Sequence, residues 1–289
     1  MWVVIEFAHP GFLSSSNLTN MMRQTSPLAV VAFGQALVII GRGLDLSVGS
    51  IMGLVSVVTA IVGVKYGLAA GLLVGIAAGA LCGAINGTMV SVFSVPAFIA
   101  TLGMLSIARG LALTITGGIT MDVPDGLSYF AWSSWGPVPV ITAIVLIIFA
   151  IGYGVLELTA YGRRLYATGL NSEAARLSGV STGWSRFSTF VFSGSLAAVG
   201  AILLTSRMNS GNSLTGVGYE LESIAAVVIG GVSLRGGEGS LLGVLLGALF
   251  LTSLSNGLRL IGFSSYLTLA VEGVVFIAAV WLNLRLFRR

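Results

Sequence analysis

Nine apolar runs, at about residues 27–41, 48–64, 68–93, 97–117, 138–160, 187–206, 223–235, 240–258 and 267–284, divide the 289-residue sequence. Most approach the roughly 20 residues that a helix needs to cross the hydrocarbon of a bilayer. Lipid offers no hydrogen bonds, so backbone at that depth must satisfy itself, and runs of this length do so as helices. The expectation is an all-α, polytopic integral membrane protein, one transmembrane domain over residues 1–289 set in a lipid bilayer. Met1–Ala8 is apolar but too short to span and reads as the tail of a first helix, giving about nine to ten helices. Pro10–Ser26 reads as polar and turn-rich. The run at 223–235 is too short for a straight crossing, so a broken or half-helix is expected there, its loose backbone groups buried in protein.

Composition excludes most other classes. Apolar residues make up 56% and charged residues 8%, with a mean hydropathy of +1.01, against roughly 25% charged in soluble domains. The formal charge of +4 and pI of 9.6 reflect arginines between apolar runs. They form no basic patch with interleaved aromatics, so no nucleic acid partner is expected. Lys65, the only lysine, is followed by Tyr66, whereas a phosphate-cradling loop needs Gly-Lys-Ser/Thr. Nucleotide chemistry therefore falls to another polypeptide. Cys82 and His9 are each the only residue of their type, which leaves no thiolate or imidazole cluster for a metal, and no cofactor is expected.

The long polar segment Thr159–Phe187 carries Arg163, Arg164, Arg176 and Arg186 against Glu173. The positive-inside bias puts such a loop on the cytoplasmic face. Walking outward from it places Asp122, Asp125, Glu220 and Glu222 outside, and Arg285, Arg288, Arg289 and the C-terminus inside. Within the loop, Asn171 to Leu177 reads as a short helix. Asn171 or Ser172 is its N-cap, Glu173 stands in the first turn where the dipole favours an acid, and Gly179 stands at the stop. Glu173 and Arg176 can pair on one face, Ala174 and Ala175 leave room for close approach, and Leu177 offers an apolar anchor. Two readings stand: a solvated connector, or a docking surface for a cytosolic partner.

Glycine is the second organising feature. Gly67, Gly71, Gly75, Gly79, Gly83 and Gly87 recur every four residues, and Gly239, Gly243 and Gly247 repeat the pattern. Small residues at this spacing let membrane helices approach closely. A four-residue step drifts by about 40° on a 3.6-residue helix, so the long stripe must meet more than one neighbour, which predicts a central helix. There is also an internal echo. Residues 36–54 and 226–244 align without gaps at an offset of 190, matching Ala36, Val38, Ile39, Gly41, Leu44, Gly49, Ser50 and Gly53 to identical residues. Transporters are commonly built from such repeats, with broken helices at the substrate path.

Candidate path residues follow from these features. Gly41–Ser50 carries Arg42 and Asp45, close enough to pair, and Asp45 or Ser47 can cap the next helix. A charged turn at the membrane surface is the plainer reading. Its echo carries Arg235 and Glu238. Arg109, Glu157 and Glu272 lie nearest the hydrocarbon, where ionisable groups usually face a cavity. Arg109 is the strongest of them. Asn86 and Asn256 suit either helix packing or a polar substrate. Tyr129, Phe130, Trp132 and Trp135 read as an interfacial belt.

GLDLSVGS at Gly43–Ser50, PAFIATLGM at Pro96–Met104, GRRLYATGLNSEAARLSGV at Gly162–Val180, GYELESIAAVVIGGVSLRGGEGS at Gly218–Ser240 and FSSYL at Phe263–Leu267 occur in this order. Together they resemble the membrane permease subunits of bacterial ABC importers for ribose and related monosaccharides. The resemblance runs from about Pro10 to the last helix and implies a second permease copy, cytosolic ATPase subunits and a periplasmic sugar-binding protein. It also implies that Asn171–Gly179 is the helix that couples to the ATPase, in the inner membrane of a bacterium. Related permeases for branched-chain amino acids and nucleosides share the plan. A secondary transporter and a membrane-embedded enzyme are the readings from other classes; the latter lacks a nucleophile–base pair.

Overall fold

The computed structural model describes residues 1–286. It begins with α1 (Trp2–Ala8), α2 (Ser15–Ile40), α3 (Val48–Tyr66), α4 (Leu68–Ser91) and α5 (Ala97–Thr116). A small cap follows: α6 (Tyr129–Trp132) and the antiparallel pair β1 (Ser134–Trp135) and β2 (Val138–Pro139). Then come α7 (Val140–Leu158), α8 (Ala160–Leu170), α9 (Ser172–Leu177), α10 (Thr182–Met208), α11 (Tyr219–Ile229), α12 (Leu241–Leu260) and α13 (Ser265–Leu286). Eight of these, α2–α5, α7, α10, α12 and α13, are long and apolar enough to cross a membrane. The chain is a polytopic all-α membrane protein. Arg288 and Arg289 lie outside the described residues.

The first crossing starts earlier than its apolar run. Ser14 accepts the Asn17 N–H as N-cap, and the polar residues after it are helical rather than turn-rich. Pro27 sits inside this helix, where it cannot donate to the preceding turn. Just before it the Thr25 and Ser26 hydroxyls bond back to the carbonyls of Met21 (2.8 Å) and Met22 (2.7 Å). From Thr25 to Ile40 every residue of α2 is buried. It packs on α7, α10, α11 and α12, and Phe33 meets Phe149 at 5.3 Å between ring centroids.

The central helix is thus α2, and the expectation that the glycine-rich α4 is central is corrected. In α4 only Gly71, Gly75, Gly79, Gly83, Gly87, Cys82 and Asn86 are buried. The stripe does meet two helices, as its drift requires. Gly71 and Gly75 lie on Thr59 of α3, whereas Gly79, Gly83 and Gly87 lie on Gly194, Phe190 and Phe187 of α10. The other faces of α4 are exposed, because a helix needs only one small-residue seam to dock on a groove between two neighbours.

The short span is a half-helix. At 11 residues, α11 rises about 16 Å. The ten residues before it run back along α3. Gly211 exchanges two 2.8 Å hydrogen bonds with Met121 and would press any side chain on Ala60. The Asn212 N–H donates to Ser56 Oγ at 3.1 Å. The Arg109 guanidinium donates to the carbonyls of Ser213 and of Gly49. Gly216 abuts Met52, and Glu220 lies against Gly49, the second residue of α3. Backbone that leaves the helical ladder at membrane depth is therefore served by hydroxyl, guanidinium and peptide groups of the protein itself.

Candidate functional site

The basic loop is built, not slack. In α8, which sequence periodicity alone did not suggest, Gly162, Leu165, Thr168 and Gly169 are buried, while Arg163 and Arg164 are exposed. This i, i+3, i+4 pattern lays the helix flat on the bundle. Tyr161 Oη bonds Ser188 Oγ at 3.0 Å, and Tyr166 donates to the Gly239 carbonyl at 3.0 Å.

α9 follows after one residue. Asn171 is its N-cap and accepts from the N–H groups of Glu173 (3.1 Å) and Ala174 (3.0 Å). Gly179 at φ +84 closes it, with Gly179 N–H on Arg176 O and Val180 N–H on Ala175 O. These paired bonds end a helix with a left-handed residue that glycine tolerates best. Glu173 and Arg176 pair at 2.6 Å. That bond holds the Glu173 carboxyl below its usual 4.5 and raises the guanidinium. Ser172 is half-buried, and Glu173, Ala174, Arg176 and Leu177 face outward, with Leu177 75% exposed. Ala175 is the exception. It is buried against the protein, so the two alanines do not share the outward face.

The two echo segments meet beneath this unit. The Gly237 N–H donates to Ile40 O at 2.9 Å. A Cβ added at Gly169 would overlap Ile40 O and stand 2.5 Å from the Gly237 nitrogen, and one at Gly237 would stand 2.5 Å from Leu170. Gly169 is thus wedged between the end of α2 and the turn that leads from α11 into α12. The repeat is real but out of register with its gapless alignment. Gly41 and Gly230 are the matching C-caps. Each is followed by a left-handed residue, Arg42 (φ 68) and Gly231 (φ 81), and by an N–H bonded to the carbonyl five residues back. The turns therefore match one residue earlier than the alignment has them. The next helices start at Ser47 and Ser240, three residues later than it predicts, because the second loop is longer.

Of the candidate path residues, Asp45, Ser47 and Asn86 come together. Asp45 is fully buried. It accepts from Ser47 N–H (3.0 Å) and Oγ (2.6 Å) on one oxygen, and from Ser193 Oγ of α10 (2.9 Å) on the other. Asn86 donates to Ser47 Oγ at 2.9 Å. This knot joins α2, α3, α4 and α10. The expected Arg42–Asp45 pair does not form: Arg42 is exposed in its left-handed turn, while the buried Asp45 carboxylate is taken by Ser47 and Ser193. Arg109 holds the segment ahead of α11, as above. Asn256 exchanges amide bonds with Asn17 (3.0 and 3.1 Å), tying α12 to α2 far from Asp45. Arg235 sits in the longer turn, where its N–H meets Ser233 Oγ at 3.3 Å. Ser193 and Gly169 went unremarked in the sequence. A serine in a helix carries no signal of its partner, and a single glycine looks like any of the 40.

The family model described as branched-chain amino acid transport system / permease component matches residues 17–280. Ribose import permease protein RbsC of Escherichia coli (strain K12) is 39% identical over 283 residues, covering 96% of this chain and 88% of its own. The protein of the same name from Haemophilus influenzae is 38% identical over the same shares. The autoinducer 2 import system permease protein LsrC of Salmonella choleraesuis is 33% identical, over 98% of this chain and 84% of its own. No solved structure matches. On a family model covering nearly the whole sequence and relatives of this likeness, the chain belongs to the family of branched-chain amino acid transport system / permease components.

Proposed function

We propose that this chain is the membrane permease of an ATP-binding-cassette importer and forms the route for a ribose-like monosaccharide. Relatives that align over almost its whole length are named for import of ribose and of autoinducer 2, which favours a sugar over the amino acids in the family description. Its partners are cytosolic ATPase subunits, a periplasmic sugar-binding protein and a second permease copy, and the arginine-rich end with α8, α9 and the C-terminus faces the cytoplasm. ATP hydrolysis belongs to the separate subunits.

The observation that carries the mechanism is the seating of α8 and α9. An exposed, doubly capped helix presents Glu173, Arg176 and Leu177 to a partner, while Gly169 clamps the same unit onto the end of α2 and the turn between α11 and α12. Coupling needs a rigid element that both sites bias. A push on α9 moves the half-helix α11, whose far end leads into the segment held by Arg109. The test is ATP-driven sugar uptake by proteoliposomes holding this chain, the ATPase and the loaded binding protein. Leu177→Asp and Glu173→Lys should abolish uptake and co-purification of the ATPase while the permease still inserts. Uptake that persists in both variants makes the loop a connector. Uptake that proceeds without ATP makes the chain a secondary transporter.

A further inference from the structure

Behind α11 lies a cavity of about 360 Å³ that Glu272 alone of the path candidates discussed so far lines. Its chemistry comes from Arg207, Tyr219, Glu222, Arg259, Glu272 and Phe276. Chain direction fixes where it opens. Arg207 and Arg259 stand in the last turns of α10 and α12, and both helices start at the end that carries α8. Their last turns are therefore at the opposite mouth. Glu222 is in the first turn of α11, and the neighbouring Glu220 reaches the start of α3. The cavity thus runs inward from the far mouth and stops on the half-helix, whose following turn carries Gly237 against α8.

Two guanidiniums and two carboxylates share this space. Glu272 is engaged by the Ser255 hydroxyl. The side chains of Arg207, Arg259 and Glu222 make no hydrogen bond or ion pair with any described residue, though Glu222 and Arg259 feel each other's charge. A guanidinium offers donors only and a carboxylate acceptors only. The formal charge of the set is zero, so an ion gains from one pair what it loses to the other. A ring bearing a hydroxyl on successive carbons satisfies both, because each hydroxyl donates to a carboxylate while accepting from a guanidinium. Tyr219 and Phe276 supply flat apolar surface for its C–H faces. The volume is that of a pocket for one small ligand, which is ordinarily about 300–1,000 Å³.

We infer that this cavity is a binding site for a monosaccharide-like polyol, entered from the mouth opposite α8 and closed below by α11. The inference rests on the proposed function, and it gives the permease a selectivity of its own beyond that of any binding protein. The test uses the complete importer in proteoliposomes, with D-ribose as probe and sugar moved per ATP hydrolysed as readout. Glu222→Gln and Arg259→Gln should each lower that ratio at least tenfold and should alter the ratio of ribose to hexose uptake. Saturation-transfer NMR on wild-type permease in nanodiscs should show ribose contacts that both variants lose. Where Glu222→Gln fails to assemble, Tyr219→Phe, which removes one hydroxyl, should lower the ribose signal severalfold. If wild type moves ribose and the variants match it, the pocket assignment is wrong and the transport reading stands. If wild type moves no sugar, both fall. Saturation transfer from leucine or from phosphatidylethanolamine headgroups, but none from ribose, would likewise overturn the polyol assignment.

Discussion

Gly79 is where the seam between α4 and α10 can be tested most directly. A Cβ built there stands 2.5 Å from the carbonyl oxygen of Gly194 and 2.6 Å from Ala198 Cβ. Neither neighbour can rotate away, since one is backbone and the other is the first atom of its side chain. The opposing position is reciprocal, because a Cβ at Gly194 would strike the carbonyl of Gly79. Overpacking of this kind costs about 1–3 kcal/mol, so Gly79→Ala should lie within that range and Gly79→Leu above it. The same methyl elsewhere should cost nothing. Gly110 in α5 and Gly154 in α7 have no atom within 4 Å of an added Cβ, and alanine there removes the glycine penalty of roughly 0.5–1 kcal/mol. The assay is the thermal midpoint in detergent for the four variants, read by intrinsic fluorescence. The double variant Gly79→Ala/Gly194→Ala adds a second check. Once one methyl has forced the backbones apart the other meets less resistance, so the pair should fall short of additivity by about 0.5 kcal/mol or more. A Gly79→Ala protein that melts with Gly110→Ala, or strict additivity in the pair, would refute a seam set by backbone contact.

Asp45→Ala should destabilise by about 1–3 kcal/mol for each donor left stranded, whereas Asp45→Asn should recover part of the loss; denaturant midpoints of the two variants decide it. Asn171→Ala removes a cap that serves two N–H groups and should cost α9 about 1 kcal/mol, seen as faster amide exchange at Glu173 and Ala174 with the membrane helices unchanged. The Glu173–Arg176 bond holds the folded carboxyl below 4.5, so its contribution is fully present above the unfolded value and is lost as pH falls through the lowered one; α9 amide signals should stay constant from neutral pH down to about 5 and shift only below the normal carboxylate range.

Much of this architecture was legible because membrane burial leaves coarse marks. Apolar length located the eight crossings, and the 13-residue run at 223–235 announced the half-helix, since no straight helix of that length crosses the hydrocarbon. Caps were legible where short side chains serve local N–H groups: Asn171 and Gly179 do what their types and positions suggest. What escaped was everything set by a partner distant in sequence. Periodicity gave the α4 stripe two neighbours but could not say that its remaining faces were bare, since that depends on which helices stand beside it. Arg42 and Asp45 lie three apart, yet the Schellman-type turn at Gly41 throws Arg42 outward, and Ser193, nearly 150 residues away, takes the carboxylate. The cavity escaped for the same reason. Arg207, Glu222, Arg259 and Glu272 come from four helices, and only the descent of residues 209–218 along α3 brings Glu222 among them.

In the proposed mechanism, the repeat is what lets one short helix address the whole bundle. Each half of the echo is a helix, a turn closed by a left-handed residue, and a second helix entered through serine: α2–Gly41–α3 and α11–Gly230–α12. The first copy is continuous with the core, because α2 is buried along most of its length and Asp45 knots its turn to α4 and α10. The second is looser by construction. Its entering helix is only 11 residues long and its turn is extended, so that it hangs on the segment ahead of it, which Met121, Ser56 and Arg109 tie to the bundle. Gly169 touches both turns at backbone distance. A force delivered through α8 therefore meets a stiff element on one side and a compliant one on the other, and packed interiors resist strain where they are densest. In the proposed mechanism, displacement is taken up by α11, and with it by the floor of the charged cavity and the Arg109 tether. Lengthening the side chain at that point is the corresponding perturbation. Gly169→Ala should part the Gly237–Ile40 hydrogen bond and leave α9 free to bind its partner without moving α11. Its expected phenotype is ATP hydrolysis that no longer responds to loaded binding protein, together with an unchanged yield of assembled complex. Normal stimulation in Gly169→Ala would show that the load travels by another route, through Tyr161–Ser188 into α10, and that the second copy of the repeat is a passive wall.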